Sequence, residues 1–154
     1  MPHTTKPSQI SSSKDLREKR AYIKLLPLLV ENMGATQSTT GSVSKHQVVA
    51  FHSSDKWKNH FEASKQTGKL MVIDFTASWC GPCKYMEPAI NEFAAKYTDV
   101  EFIKIDVDEL ADVAREFEVE AMPTFILVKK GKQVDKVVGA NKEELQKKIE
   151  KHRF

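Results

Sequence analysis

The sequence predicts an α/β fold with a central mixed β-sheet of about five strands and helices on both faces. Three observations predict it. Strand-like and helical segments alternate from residue 46 onward, in the order βαβαβαββα. Residues 70–75 are apolar almost throughout, which indicates a central strand that is covered on both faces. Two strand-like segments on either side of a short turn at residues 130–132 predict a hairpin.

The first elements of this region are predicted to be a strand at residues 46–51 and a helix that follows it. Residues 53–55 (Ser-Ser-Asp) offer an N-cap for the helix, because short polar side chains there accept backbone N–H groups. Trp57 and Phe61 are four residues apart, as on the apolar face of a helix. This first helix is predicted to end near Gly68.

A second helix is predicted after the central strand. Met86, Ile90, Phe93 and Tyr97 follow the spacing of a helical apolar face. Pro88 lies among them, and it should kink the helix because proline has no N–H to donate.

The rest of the chain is predicted to supply three strands and two helices. Two of the strands form the hairpin, and Asn141 caps the last helix. The segments are a strand at residues 100–105, a helix at 109–117, hairpin strands at 124–128 and 133–138, and a helix after residue 141.

Residues 1–45 differ from the rest and are predicted to be an N-terminal extension, disordered or weakly helical. Residues 1–15 are rich in Ser, Thr, Pro and Lys, a composition typical of disorder. Residues 16–31 favour a short basic helix, and residues 34–45 favour a flexible linker. The folded domain is therefore predicted to span residues 46–154.

The extension holds two alternative targeting signals. An organelle transit peptide fits the basic segment at residues 16–31, although nearby acidic residues count against it. Gly34 fits the pattern for N-myristoylation, but only if translation starts at Met33, since Gly34 is internal in the printed chain. A chance match is the alternative, because the pattern is loose. Membrane association or organelle targeting is expected only through residues 1–45.

Composition argues against several classes of function. The chain has 154 residues, of which 40% are hydrophobic and 29% charged, as in a soluble protein of one domain. The net charge of +3 arises in the first 33 residues, so no basic block in the folded region argues for nucleic acid. No apolar run predicts a membrane span, and no Gly-rich loop predicts a nucleotide. We expect a cytoplasmic monomer without a bound cofactor or metal.

The two cysteines of the chain lie three residues apart, as Cys80 and Cys83 in the segment WCGPCK. Cys80 follows a predicted strand and begins a predicted helix, whose unpaired N–H groups and dipole favour a thiolate. A thiolate attacks disulfides, and a second thiol this close can release the product, so the pattern predicts a redox-active disulfide. A zinc pair and two inert core thiols are the alternatives. A zinc site needs about four ligands, and the sequence has no second Cys/His cluster.

Three segments together resemble the thioredoxin family, and most of all its plant h type: residues 75–84 (FTASWCGPCK), 121–124 (AMPT) and 138–140 (VGA). The resemblance runs from about residue 46 to the C-terminus and does not cover residues 1–45. It implies a thioredoxin-like fold and a protein-disulfide reductase, in which electrons pass from NADPH through thioredoxin reductase to disulfide-containing target proteins. Many h-type relatives have a further cysteine in the N-terminal tail. Its absence here argues against palmitoylation and against glutaredoxin-dependent recycling.

The resemblance also implies a role for each residue near the cysteines. Cys80 would be the nucleophile and the more exposed thiol, and Cys83 would resolve the mixed disulfide. Asp74 would accept a proton from the second thiol, and Lys104 would modulate Asp74. The alternatives are a structural Asp that caps a turn and a solvated lysine at a strand edge.

A surface that docks target proteins is implied as well. Trp79 would be an apolar part of it, with a core aromatic as the alternative. Pro82, in the first helical turn, is associated in the family with its reducing members. The loop with Met122 and Pro123 would contain a cis proline, and its backbone would pair with an extended target segment. The implied docking residues are Trp79, Gly81, Pro82, Met122, Pro123 and Gly139.

Two other functions stay open on the sequence alone. One is an oxidase or isomerase of the secretory pathway, against which Pro82 and the lack of a signal-peptide pattern both argue. The other is a non-catalytic binding or chaperone module, against which the complete Cys-X-X-Cys motif argues.

Overall fold

The computed structural model describes residues 47–154. The predicted N-terminal helix at residues 16–31 and the lipidation signal at Gly34 lie outside the described residues. All that follows concerns residues 47–154.

A five-stranded mixed sheet forms the centre of the described region, as predicted. Its strands are β1 (Val49–Phe51), β2 (Leu70–Thr76), β3 (Val100–Asp106), β4 (Thr124–Lys129) and β5 (Lys132–Val138). Their order across the sheet is β1-β3-β2-β4-β5. β1 and β2 run parallel to β3, whereas β4 runs antiparallel to β2 and to β5. β2 is therefore the middle strand, which explains why its sequence is almost wholly apolar.

Four helices accompany the strands: α1 (Ser54–Ser64), α2 (Gly81–Lys96), α3 (Ala111–Glu116) and α4 (Lys142–His152). Two predicted caps are present. The Oγ of Ser53 accepts the backbone N–H of Lys56, and the Oδ1 of Asn141 accepts that of Glu144. Pro88 lies inside α2, as predicted.

Two predicted elements are shorter in the structure. β1 begins at Val49, because only its three residues pair with β3. α1 ends at Ser64, and hydrogen-bonded turns rather than helix occupy the residues that lead to Gly68. Boundaries of this kind depend on pairing and capping more than on apolar spacing.

Apolar residues pack on both faces of the sheet. Along β2 successive side chains point to opposite faces. Leu70 and Val72 join one core, and Met71, Ile73 and Phe75 join the other. Residues of α2 and α4 complete the first core, and residues of α1 and α3 complete the second. The prediction of helices on both faces is therefore confirmed.

Asp74 interrupts the apolar pattern of β2. Strand alternation places it on the face covered by α2 and α4, and Lys104 of β3 is its neighbour in the parallel ladder. β2 ends at Thr76, and a short loop leads from it to Cys80. The cysteines therefore follow the carboxyl end of the middle strand, with an acid set back along the same strand.

Candidate active site

Cys80 is the N-cap of helix α2. Its backbone is extended (φ −89°, ψ 109°), and the helix begins at the next residue, Gly81. The Sγ of Cys80 accepts the backbone N–H of Cys83 at 3.2 Å. Pro82 lies in the first turn, where its missing N–H removes no helical hydrogen bond. The predicted position of the first thiol, at a helix N-terminus, is confirmed.

Cys80 and Cys83 are joined by a disulfide, so the structure shows the oxidised state. Their Cα atoms are 5.3 Å apart, which is an ordinary separation for a disulfide. Only 4% of Cys80 and 3% of Cys83 is exposed, and both residues pack with Ala77. The two residues are thus almost equally buried in this oxidised state, and the expectation that Cys80 is the more exposed thiol of the reduced pair stays a prediction.

Trp79 stands at the rim of the site with 67% of its surface exposed. Its Nε1–H donates to the Oδ2 of Asp108 at 3.0 Å. The backbone N–H of Asp108 donates in turn to the Oδ1 of Asp106 at 2.8 Å, which orders this loop. The alternative of a core aromatic is excluded, because the ring of Trp79 is exposed to solvent and only its Nε1–H is hydrogen-bonded, to Asp108.

Asp108 is a neighbour that sequence reasoning missed. A signal for it exists in the chain: β2 and β3 are parallel, so the loops that follow them lie at the same edge of the sheet. A polar residue soon after β3 is therefore placed to meet a side chain that follows β2.

The loop before β4 lies against the cysteines. The peptide bond between Met122 and Pro123 is cis, and half-buried Met122 packs on the cysteine cluster. The backbone N–H of Gly139 donates to the carbonyl oxygen of Pro123 at 2.8 Å. Gly139 has φ +97°, a conformation that favours glycine over residues with a Cβ. The structure thus brings Met122, Pro123 and Gly139 together at the end of the sheet where the disulfide lies.

The exposed side chains around the disulfide are mostly small and apolar. Gly81 and Pro82 are exposed on the helix side, and Ala121, Val138 and Ala140 are exposed on the loop side. Together with Trp79 they form what we call the docking rim.

Asp74 is buried, with 6% of the residue exposed. Its Oδ1 is enclosed and has no hydrogen-bond partner among the described residues. Burial is the largest influence on its acidity and raises the pKa of Asp74 to about 7. The cation of Lys104 lowers that pKa in part, and the carboxylate of Glu87 raises it again. The alternative in which Asp74 caps a turn has no support, since no hydrogen bond of that kind is present in residues 47–154.

Lys104 lies beside Asp74 but binds another acid. Its Nζ donates to the Oε1 of Glu87 at 2.8 Å, from β3 across to helix α2. The alternative of a lysine that is only solvated is therefore wrong, because the ammonium group is paired. Glu87 is a second residue that sequence reasoning missed, since a helix position and a strand position 17 residues away must be brought together by the fold.

Asp74, Glu87 and Lys104 line one groove of about 230 Å³, whose walls are completed by Val48, Ile90 and Asn91. A neighbouring groove of about 370 Å³ shares Glu87 and Lys104 and extends to residues 76–78 of the loop before Cys80. Both volumes are large enough for several water molecules. The buried acid therefore has a polar path towards solvent.

Residues 47–154 contain no group of three or more His, Cys, Asp or Glu side chains that could hold a metal ion. No helix in the same part of the chain is long and apolar enough to cross a bilayer.

The family model named Thioredoxin matches residues 47–151 of this chain. Among curated proteins, Thioredoxin H2 of Arabidopsis thaliana is 52% identical over 121 residues, which is 78% of this chain and 91% of that protein. Thioredoxin H2-1 of Oryza sativa subsp. japonica is 60% identical over 102 residues, which is 66% of this chain and 74% of that protein. The match to the family model leaves the first 46 residues as an N-terminal extension.

Solved structures give the same result. The crystal structure of thioredoxin NaTrxh from Nicotiana alata is 63% identical, with a TM-score of 0.70, and the match covers 75% of this chain and all of that one. The poplar thioredoxin h PtTrxh4 is 41% identical with a TM-score of 0.65, over 68% of this chain and 95% of that one. With a cysteine pair at the head of α2 and a matched family model, the chain belongs to the thioredoxin family, as a thiol–disulfide oxidoreductase that resembles the plant h-type members.

Proposed function

We propose that Cys80 is the nucleophile with which this chain reduces disulfides in target proteins. Its thiolate attacks one sulfur of the target disulfide, so that a bond between Cys80 and the target forms while the target's own S–S bond breaks. The observation that supports this role is the position of the Cys80 sulfur at the N-terminus of α2, where the N–H of Cys83 points at it. A helix N-terminus stabilises the negative charge of a thiolate.

Cys83 resolves the mixed disulfide. Its thiol loses a proton, its sulfur attacks the Sγ of Cys80, and the target leaves as a second thiolate that takes up a proton from water. The bond that results is the Cys80–Cys83 disulfide of the oxidised state. Two electrons have then passed from the dithiol to the target disulfide.

Asp74 accepts the proton of the Cys83 thiol, directly or through water in the groove. A base works best when its pKa is near the working pH, and burial raises the pKa of Asp74 to about 7. An Oδ1 without a hydrogen-bond partner among the described residues leaves a lone pair for the proton. Lys104 modulates this acid through its positive charge.

The docking rim receives the target segment that carries the disulfide. Its members are small or flat, so an extended chain can approach the sulfurs closely. The backbone of the Met122–Pro123 loop pairs with that chain in the manner of an added strand. The proposed contact residues are Trp79, Gly81 and Pro82 of the rim, together with Met122, Pro123 and Gly139 of the two loops beside it.

The electron donor is an NADPH-dependent thioredoxin reductase, and the protein acts as a monomer in the cytoplasm. The resemblance to h-type thioredoxins supports the thioredoxin reductase and the cytoplasmic location. The domain that reduces disulfides spans residues 46–154, and residues 1–45 are an extension through which any association with a membrane or an organelle would occur. Myristoylation of Gly34 is part of this proposal only for a product that starts at Met33.

The proposed function is tested by insulin reduction, followed as turbidity with dithiothreitol or with NADPH and a thioredoxin reductase. The wild type should accelerate the reaction, and Cys80→Ser should lose at least about a thousandfold of that rate, because a covalent nucleophile has no substitute. Cys83→Ser should instead trap targets as mixed disulfides that mass spectrometry detects and dithiothreitol releases. Undiminished activity in Cys80→Ser would refute the assignment.

A further inference from the structure

Lys104 has a carboxyl group beside it on the neighbouring strand and another on helix α2, and it binds the one on the helix. Asp74 is its direct neighbour in the parallel ladder, and adjacent strands lie about 5 Å apart. Both side chains are on the face of the sheet covered by α2 and α4. The ammonium group nevertheless pairs with Glu87 of α2, at 2.8 Å.

Asp74 is left without that partner. No ion pair joins it to Lys104 in the described region, and its enclosed Oδ1 accepts no hydrogen bond there. Buried carboxylates are ordinarily paired, because an unpaired buried charge is costly. Asp74 therefore stays unpaired although a lysine lies next to it on the neighbouring strand. This arrangement indicates that Glu87 determines which carboxyl group Lys104 binds.

We propose that Glu87 is a positioning residue that holds Lys104 away from Asp74 and so keeps the Asp74 carboxyl available to take the proton of Cys83. This inference rests on the role proposed above for Asp74. Glu87 itself touches neither the sulfurs nor the target, and it acts only through the lysine.

The physical reason is competition for one cation. An ammonium group bound to Asp74 would stabilise its charged form and make it a weaker base, whereas an ammonium group bound to Glu87 has a smaller effect on it. In the structure burial dominates and raises the pKa of Asp74 to about 7, with Lys104 lowering it only in part. The pKa of Asp74 therefore depends on which carboxyl group Lys104 binds.

The groups that face Asp74 from the surrounding elements are few. β3 contributes Lys104, and α2 contributes Glu87 together with uncharged Ile90 and Asn91. On the other side, β4 contributes apolar Phe125 as the ladder partner. The adjoining groove adds Lys84 of α2 and Asp106 of β3 at its far end. Glu87 and Lys104 are the charged groups that line the same groove as Asp74.

The test is a titration of the Asp74 side-chain carboxyl by carbon NMR in the oxidised protein. Glu87→Gln should lower the midpoint by about one pH unit, because the freed lysine then pairs with Asp74. The same substitution in a Lys104→Met background should give a clearly smaller shift, because only the direct influence of the Glu87 carboxylate on Asp74 is then lost. Glu92→Gln is the matched control, since Glu92 is also on α2 and also pairs with a lysine, Lys142, at 3.0 Å, but does not line the groove.

Two results would overturn the inference. One is an unchanged midpoint in Glu87→Gln. The other is an equal shift in the Lys104→Met background, which would mean that Glu87 acts through its own field rather than through the lysine. The titration uses no target protein, so a failure of the proposed reductase activity would be seen separately, in the insulin assay.

A kinetic readout extends the test to the reaction. The rate at which a preformed mixed disulfide on Cys80 is resolved should follow the Asp74 midpoint, so its pH profile should move to lower pH by the same amount in Glu87→Gln. Glu92→Gln should retain the wild-type profile. A pH profile that stays fixed in Glu87→Gln while the NMR midpoint moves would contradict the proposed link to Cys83.

Discussion

Asp74 and Asp135 are two carboxyl groups on the same sheet with opposite surroundings. Asp74, in the middle strand, is buried and its Oδ1 has no hydrogen-bond partner within residues 47–154. Asp135, in β5, is half-buried and accepts from Lys148 and His152, each at 2.9 Å, and from a backbone N–H. The first group precedes the cysteines by a few residues, on the strand that leads to them, and the second joins β5 to α4.

The difference shows that hydrogen bonding, and not burial alone, decides what a carboxyl group does in a fold. Burial is the largest single influence on both groups and acts in the same direction. It raises the pKa of Asp74 to about 7. At Asp135 the hydrogen bonds from Lys148, His152 and the backbone together outweigh burial and hold the pKa well below its usual range. One acid is therefore available for chemistry, and the other is committed to structure.

The largest expected effect is on the stability of Asp74→Asn in the oxidised state. The folded-state pKa of Asp74 is raised above its unfolded value of 3.8, so the wild type loses stability as the pH rises from about 4 through about 7. Above that range the buried charge costs about 4 kcal/mol, which the neutral amide avoids. Urea unfolding at pH 8 should show Asp74→Asn to be more stable by up to this amount.

The stability advantage of Asp74→Asn should shrink as the pH falls towards 4, where the wild-type group is neutral in the folded state. The matched control is Asp135→Asn, which should show no gain at pH 8. A gain in Asp74→Asn that is independent of pH would mean that the acid is already paired or neutral in the folded protein.

The next effect concerns activity. Asp74→Asn should slow resolution of the mixed disulfide at neutral pH by about a hundredfold, because a positioned base typically contributes at least that much. Asp135→Asn should keep the wild-type rate in the same stopped-flow assay, since its partners are on β5 and α4. Equal rates for Asp74→Asn and the wild type between pH 6 and 8 would separate Asp74 from the chemistry.

The smallest effect is the loss of stability in Asp135→Asn, about 2 kcal/mol at pH 7, because Lys148 and His152 each lose an ionised partner. The folded-state pKa of Asp135 is depressed, so its contribution is present above pH 4 and is lost as the pH falls below that value. Urea unfolding should show the full difference from the wild type at pH 7 and a progressively smaller one as the pH falls below 4, because the folded-state carboxylate stays ionised well below that value. A difference that does not shrink as the pH falls would indicate lost packing instead.

Much of the fold follows from local features of the chain. The apolar run in β2, the helical spacing on α2 and the caps at Ser53 and Asn141 each depend on residues close in sequence, and each agrees with the structure. The start of β1 and the end of α1 were predicted less well. They depend on how far β1 pairs with β3 and on where turns replace the helix.

The site divides in the same way. The cysteine pair and its helix N-terminus could be predicted, because four consecutive residues contain the whole arrangement. The partners Glu87 and Asp108 could not, since each meets its neighbour only after α2 and the loop after β3 have packed in place. The near-equal burial of the two cysteines also escaped prediction, because it is a property of the oxidised state.

The sulfur–sulfur bond between Cys80 and Cys83 closes a ring between residues only three positions apart in the chain. A cross-link restrains an unfolded chain in proportion to the logarithm of the loop it closes, and for so short a loop the entropic gain is only about 2 kcal/mol. Breaking and re-forming the disulfide therefore changes the loop-closure contribution to the free energy of unfolding by only this small amount. The molecule can pass through many rounds of electron exchange while its sheet and helices stay assembled.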